Sequence, residues 1–237
     1  MNTTENFWNN IYANNPTRIS NEDDTVLLSA LRHFGDVSGA KLLDMGCGNG
    51  STSLYFAEKG AHVVSIDISE VAINGLRQFC TENKINNITP IKCSAFDIPV
   101  LGEFDFVFGN MILHHLEPFE VFSDVLRKSI ASGGKAFFHE NNAFSNLLIW
   151  FRNNLIGKYG IPKYGDEDEF PLMQTEREML QKNFSLNIVY PELVFFRLAS
   201  VYLLKGRLNE LMKSLDNYFF QFPDFRRYSY RQYILLS

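Results

Sequence analysis

Cysteine, charge of a single sign and long apolar runs are the three things this sequence has least of. Its 237 residues include only Cys47, Cys80 and Cys93. Three cysteines cannot all pair and these lie in apolar or helical text, so a disulfide scaffold is excluded and a reducing, cytoplasmic compartment is expected. There is no basic excess: 22 Lys+Arg stand against 27 Asp+Glu, a net charge of −5. A nucleic-acid partner is therefore not expected, because neutralising phosphates needs a concentrated basic face. The polar start MNTTENFWNN lacks the basic and apolar regions of a signal peptide. The most apolar stretches, AFSNLLIWF and VFFRLASVYLL, are too short or are broken by Arg197 to span a bilayer, which leaves peripheral contact as the one membrane role open. Repeats and low-complexity tracts are missing too. What is present is an ordinary globular composition, 46% hydrophobic and 21% charged. A chain of this length buries roughly 70% or more of its unfolded surface without metals or cross-links.

From Lys41 onward, short aliphatic runs alternate with helix-like segments, the pattern of a parallel sheet covered on both faces. Strands are predicted at 41–45, 62–67, 88–93, 104–110, 134–140, 186–194 and 228–236. Helices are predicted at 50–59, 69–84 (capped by Ser69), 118–130 and 195–218, with a capping box of Thr175 and Glu178 opening another. The reading is a doubly wound, mostly parallel α/β sheet with helices on both faces and helical insertions in the C-terminal part. One domain divides into N-terminal cap helices (1–40), a core (41–142) and a region of insertions and last strands (143–237). Between Glu140 and Thr175 lies a long connection containing the acidic run Asp166 to Glu169. Connections of that length in α/β domains are usually binding loops or lids.

The most informative text is LLDMGCGNG followed by VVSIDIS. A strand entering Gly46-x-Gly48-x-Gly50 and then a helix brings backbone close to whatever binds at the strand's C-terminal edge. A dinucleotide fingerprint has its third glycine one place later, where Ser51 stands, and Asp44 would repel a pyrophosphate. A ligand with a cationic amino-acid end and a ribose suits Asp44 better. Asp67, ending the second strand, is placed to accept ribose hydroxyls.

At these residues the sequence resembles the class I S-adenosylmethionine-dependent methyltransferases of small molecules. The resemblance runs from Lys41 to Glu140 and includes FDFVFGNMILHHL and LRKSIASGGKAFFHE. It implies a seven-stranded sheet whose last strand, in RYSYRQYILLS, is antiparallel. It also implies S-adenosylmethionine as cofactor, with S-adenosylhomocysteine as product. The implied cofactor residues are Asp44, Gly46, Cys47, Gly48 and Gly50 in the glycine loop, Asp67 and Ile68 after the second strand, Ser94 and Ala95 after the third, and Asn110 after the fourth. Ser94 departs from the pattern, since the family usually has an acid there to meet the adenine amino group; Asp97 follows nearby. The leading FWNNIYANNPTR resembles the family's first helix and offers Tyr12 above all, with Phe7, Trp8 and Arg18 beside it.

Methyl transfer from a sulfonium chiefly requires the nucleophile to be held in line, and a hydroxyl acceptor gains further from a general base. Histidine, with an unperturbed pKa of about 6.5, is the natural choice. His33 and His62 read as structural. His114 and His115 follow the fourth strand, and the family match selects His115. His139 ends the fifth strand at the ligand edge and is the candidate base. No His/Cys set has metal-ligand spacing, so no metal is expected. The acceptor is expected to be a small sugar-, lipid- or ring-containing molecule methylated on oxygen. The alternatives are transfer to nitrogen or carbon, of a metabolite or a macromolecule, or a cofactor-binding partner subunit without catalysis. Residues 1–143 hold 15 aromatics with 10 basic against 17 acidic residues; the remaining 94 hold 19 aromatics with 12 against 10. Acceptor selection is accordingly expected in the aromatic second part.

Overall fold

A computed structural model describes residues 3–154 and 171–237. The elements run α1 (Thr3–Ala13), α2 (Thr25–Phe34), β1 (Lys41–Met45), α3 (Ser51–Glu58), β2 (His62–Asp67), α4 (Glu70–Glu82), β3 (Ile88–Lys92), β4 (Phe104–Asn110), α5 (Phe119–Ser129) and β5 (Ile130–Asn141). They continue with α6 (Asn146–Asn154), α7 (Gln174–Asn183), β6 (Leu186–Val189), α8 (Phe195–Leu203), α9 (Asn209–Phe220), α10 (Pro223–Arg226) and β7 (Arg231–Leu236). Seven strands form one sheet in the order β3-β2-β1-β4-β5-β7-β6. β1 through β5 are parallel where they pair, and β7 runs antiparallel to both β5 and β6. The strand order reverses between β1 and β4, and open α/β sheets bind ligands in the crevice such a reversal opens.

Both faces of the sheet are covered, so successive residues along a strand are apolar in both directions. Leu43, Val107 and Phe138 face one side with Phe122 of α5 and Leu180 of α7. Their neighbours Leu42, Phe108 and Phe137 face the other, with Phe34 of α2, Phe56 of α3 and Leu76 of α4. There the Phe108 and Phe137 rings lie parallel, 6.0 Å apart, and Phe56 meets Phe108 edge-on at 5.1 Å. The α2 helix that closes this face is capped by Asp24, whose carboxylate accepts from the Val26 and Leu27 N–H groups at 2.8 and 3.2 Å.

Several boundaries differ from the sequence reading, each for a local reason. β5 starts at Ile130 rather than 134, because Ile130 pairs with Phe104 before an irregularity that Gly133, at φ 78°, allows. β6 stops at Val189, short of Pro191. The predicted helix 195–218 is two helices, parted at Lys205, Gly206 and Leu208, all with positive φ. At α7 the box closes two residues earlier than predicted: the Glu176 carboxylate accepts from the Met173 N–H, while Glu178 pairs with Gln174 instead of serving Thr175. The acidic run Asp166 to Glu169, and with it about half of the long connection between Glu140 and Thr175, lies outside the described residues. No helix among the described residues is long and apolar enough to cross a membrane.

Phe108→Ala is expected to cost about 3–5 kcal/mol, the range for emptying a fully buried phenylalanine site. A shift of the urea unfolding midpoint at unchanged slope checks this.

Candidate active site

The glycine loop follows from the need to turn sharply off β1 while staying against β2. The N–H groups of Gly46 and Cys47 both donate to the Ile66 carbonyl at 2.9 Å, which folds the loop back on the sheet. Gly46, Gly48 and Gly50 all have positive φ, a conformation that is costly for side chains. Space forbids a side chain as well. A Cβ at Gly50 would stand 2.4 Å from the Leu76 side chain, and one at Gly48 would stand 2.6 Å from the Tyr12 hydroxyl.

Two carboxylates secure this loop. Asp44 is buried, and its Oδ2 accepts from the Thr52 and Ser53 hydroxyls at 2.5 Å, tying β1 to the first turn of α3. Burial pushes its pKa up to about 6, against the lowering effect of those hydroxyls. Asp67 accepts from the Gly48 N–H at 2.9 Å and the Ser69 N–H at 2.8 Å, and burial raises its pKa too. Neither is paired with a lysine or arginine among the described residues.

A cavity of about 420 Å³ opens beside the loop at the C-terminal edge of the sheet. Of the residues singled out in the sequence, Trp8, Tyr12, Gly46, Asp67, Ile68, Ser94, Ala95, Asn110 and His115 line it. Asp44, Cys47, Gly48 and Gly50 do not; they build the loop that forms its wall. Arg18 is exposed and Asp97 lies outside the cavity, in a smaller depression with Glu5, Lys92 and Ser94. The α1 helix roofs the cavity. Tyr12 stacks on Trp8 at 5.9 Å, Trp8 meets His115 edge-on at 5.8 Å, and burial followed by the nearby Asp67 charge raises the Tyr12 pKa. Polar ties hold this roof down: Asn9 accepts from the Ser69 hydroxyl at 2.7 Å, and Glu5 pairs with Lys92 at 2.6 Å.

The floor between β4 and β5 holds what sequence reasoning missed. Met111 takes a positive φ of 55° and turns the chain so that Ile112, His115 and Leu116 line the cavity. The fully buried Glu140 carboxylate catches that turn, accepting from the N–H groups of Ile112 and Leu113 at 2.8 and 2.7 Å and from His114 Nδ1 at 2.7 Å. So of the adjacent histidines His114 is locked beneath the loop and His115 faces the cavity. An acid ending the apolar run KAFFHE was the available signal for Glu140.

His139 lies just outside the cavity wall, opposite Asn110 in the β4–β5 register. Its Nδ1–H donates to Asn110 Oδ1 at 2.9 Å, and its ring meets Tyr233 edge-on at 5.5 Å. Burial first, then the Arg231 charge, lowers its pKa to about 4. Among the described residues no group of His, Cys, Asp and Glu is placed to hold a metal ion.

Comparison with known proteins adds to this geometry. Residues 42–134 match a family model described as a methyltransferase domain. Over this stretch, which is less than half of its length, the chain is similar to methyltransferase domains. An uncharacterised methyltransferase of Synechocystis sp. PCC 6803 is 32% identical over 117 residues, which cover 47% of this chain and 52% of that protein. A ubiquinone biosynthesis O-methyltransferase of Acinetobacter baylyi is 28% identical over 112 residues, covering 46% and 47% respectively. The chain thus spans about half the length of these curated relatives. Among solved structures, geranyl diphosphate C-methyltransferase from Streptomyces coelicolor A3(2), in complex with Mg2+, geranyl diphosphate and S-adenosyl-L-homocysteine, superposes with a TM-score of 0.61. It covers 98% of this chain and 95% of its own at 14% identity, a likeness of fold.

Gly48→Ala is expected to push Tyr12 and the α1 roof outward, since the new Cβ overlaps the Tyr12 hydroxyl. Calorimetry should find S-adenosylhomocysteine bound at least tenfold more weakly, with the far-ultraviolet spectrum unchanged.

Proposed function

We propose that this methyltransferase moves the methyl group of S-adenosylmethionine onto a hydroxyl of a small-molecule acceptor, with residues 143–237 selecting that acceptor. The observation that carries the hydroxyl reading is His139, held at the sheet edge by Asn110 beside the cavity. The cavity residues fit the cofactor. Its volume lies within the range of small-molecule sites, and the acidic cradle of Asp44 and Asp67, unpaired with any described cation, favours a ligand bearing positive charge.

In this reading Asp67 receives the ribose hydroxyls, the glycine loop and Tyr12 hold the amino-acid end, and Ser94 with Ala95 and Ile68 borders the adenine. Asp44 acts from behind the loop, keeping the first turn of α3 in place and supplying negative charge. When bound, S-adenosylmethionine supplies an electrophilic methyl on a good leaving group. What remains for the protein is to hold the acceptor in line and to receive its proton. The Nδ1–H bond to Asn110 puts the lone pair of neutral His139 on Nε2, the atom that takes the hydroxyl proton. His115 contributes an aromatic wall with Trp8.

Asp67→Ala is expected to weaken S-adenosylhomocysteine binding at least tenfold in calorimetry; no binding by the unaltered protein at millimolar ligand would sink the cofactor reading. On an acceptor found by screening hydroxylated metabolites with labelled cofactor, His139→Ala is expected to lower kcat by about 10²–10⁴. Because the imidazole is held neutral, activity should fall as pH drops through about 4 and stay level through 6.5. Unchanged kcat in His139→Ala would leave positioning as the whole of catalysis.

A further inference from the structure

Arg231 opens β7 opposite Asn141, just as His139 faces Tyr233 two residues along the same antiparallel pair. Arg231 and His139 are therefore diagonal neighbours on one face of the sheet, about 7–8 Å apart along such a diagonal. The guanidinium is half-buried and its position is set on two sides. Its Nη1 donates to Asn141 Oδ1 at 2.7 Å and approaches the sulfur of Met111, a cavity-lining residue, at 3.3 Å, while its plane lies over the Tyr230 ring at 5.6 Å.

Both polar contacts are to uncharged groups through one nitrogen. Among the described residues no carboxylate pairs with Arg231, whereas Arg197 has both Glu192 and Asp216. A fixed cation at this spot works against the reaction in two ways. Through Met111 it borders the cavity that would hold a sulfonium, and it opposes the charge that His139 gains on taking a proton. Both costs vanish when an anion lies over the guanidinium, whose remaining N–H groups form the planar fork that suits carboxylate and phosphate oxygens.

Resting on the methyl-transfer reading above, we infer that Arg231 is the anion-binding residue of the acceptor subsite, so that the acceptor carries a carboxylate or phosphate next to the hydroxyl presented to His139. The unmatched cation is then completed by the substrate itself, and a neutral analogue is rejected because it leaves the cation uncompensated beside the base.

The test uses the full chain saturated with S-adenosylhomocysteine and labelled with ¹⁵N-histidine, titrated with salicylate, with inorganic phosphate and with uncharged salicylamide. At least one anion should shift the His139 ring resonances saturably, with a dissociation constant at least tenfold below that of salicylamide. Arg231→Gln should abolish that preference and Arg231→Lys should retain part of it. A response to salicylate alone identifies a carboxylate acceptor, and one to phosphate alone a phosphorylated acceptor. An anion preference that survives Arg231→Gln, or the absence of any anion response in the unaltered protein, overturns the inference. Cofactor binding is read separately. An unaltered protein that shows no anion response while S-adenosylhomocysteine still binds strikes the Arg231 inference alone, whereas one that never binds S-adenosylhomocysteine strikes the methyl-transfer reading beneath it.

Discussion

Three acids in strands β1, β2 and β5 do the same job, and the site depends on it. Parallel strands end in loops whose N–H groups have no ladder partner, and a buried N–H without an acceptor costs about as much as a lost hydrogen bond. Asp67 serves the glycine loop and the cap of α4, and Glu140 serves the turn after β4. Asp44 ties the first turn of α3 through two hydroxyls. A carboxylate accepts several bonds at once, so each acid fixes two or three segments at a single point. The cavity wall is in this sense a set of loops clipped to strand ends.

Clipping loops with acids has an electrostatic consequence. Asp44 and Asp67 are buried with no described cation to neutralise them, and burial raises both pKa values. Asp44, near 6, is mostly ionised at neutral pH and partly protonated below it. For an acid whose folded pKa lies above its unfolded value, the cost to the folded state is present at high pH and is relieved as pH falls through the folded value. A positively charged ligand relieves the same cost at neutral pH, so the internal wiring of the loop already prefers the ligand charge that methyl transfer needs.

Much of this was legible because the residues concerned act locally. Gly46, Gly48 and Gly50 announce themselves by spacing, Asp67 by ending a strand, and the alternating runs from β1 to β5 by period. Glu140 and His114 were not legible, since their partnership joins positions 26 residues apart through a strand register that sequence does not state. His114 and His115 look equivalent in the chain, and the positive φ at Met111 together with the Glu140 contact to His114 sets them apart. The C-terminal boundaries failed for a related reason. The helices α8 and α9 pack chiefly on each other, with Phe196 against Phe219 at 5.4 Å, so local propensity could not reveal where Gly206 divides them.

The division of charge along the chain acquires a spatial meaning at the β5–β7 pair. The acidic first part ends at β5, with the carboxylates of the cofactor side behind it. The second part returns through β7 and delivers Arg231 two residues along from Tyr233, the register partner of His139. Antiparallel addition of β7 is what allows this, because it brings the start of the strand, rather than its end, to the ligand edge. A parallel last strand would have put Leu236 there instead. The reversal that distinguishes this sheet from a fully parallel one thus places a cation from late in the chain opposite acids from early in it, on two sides of one histidine.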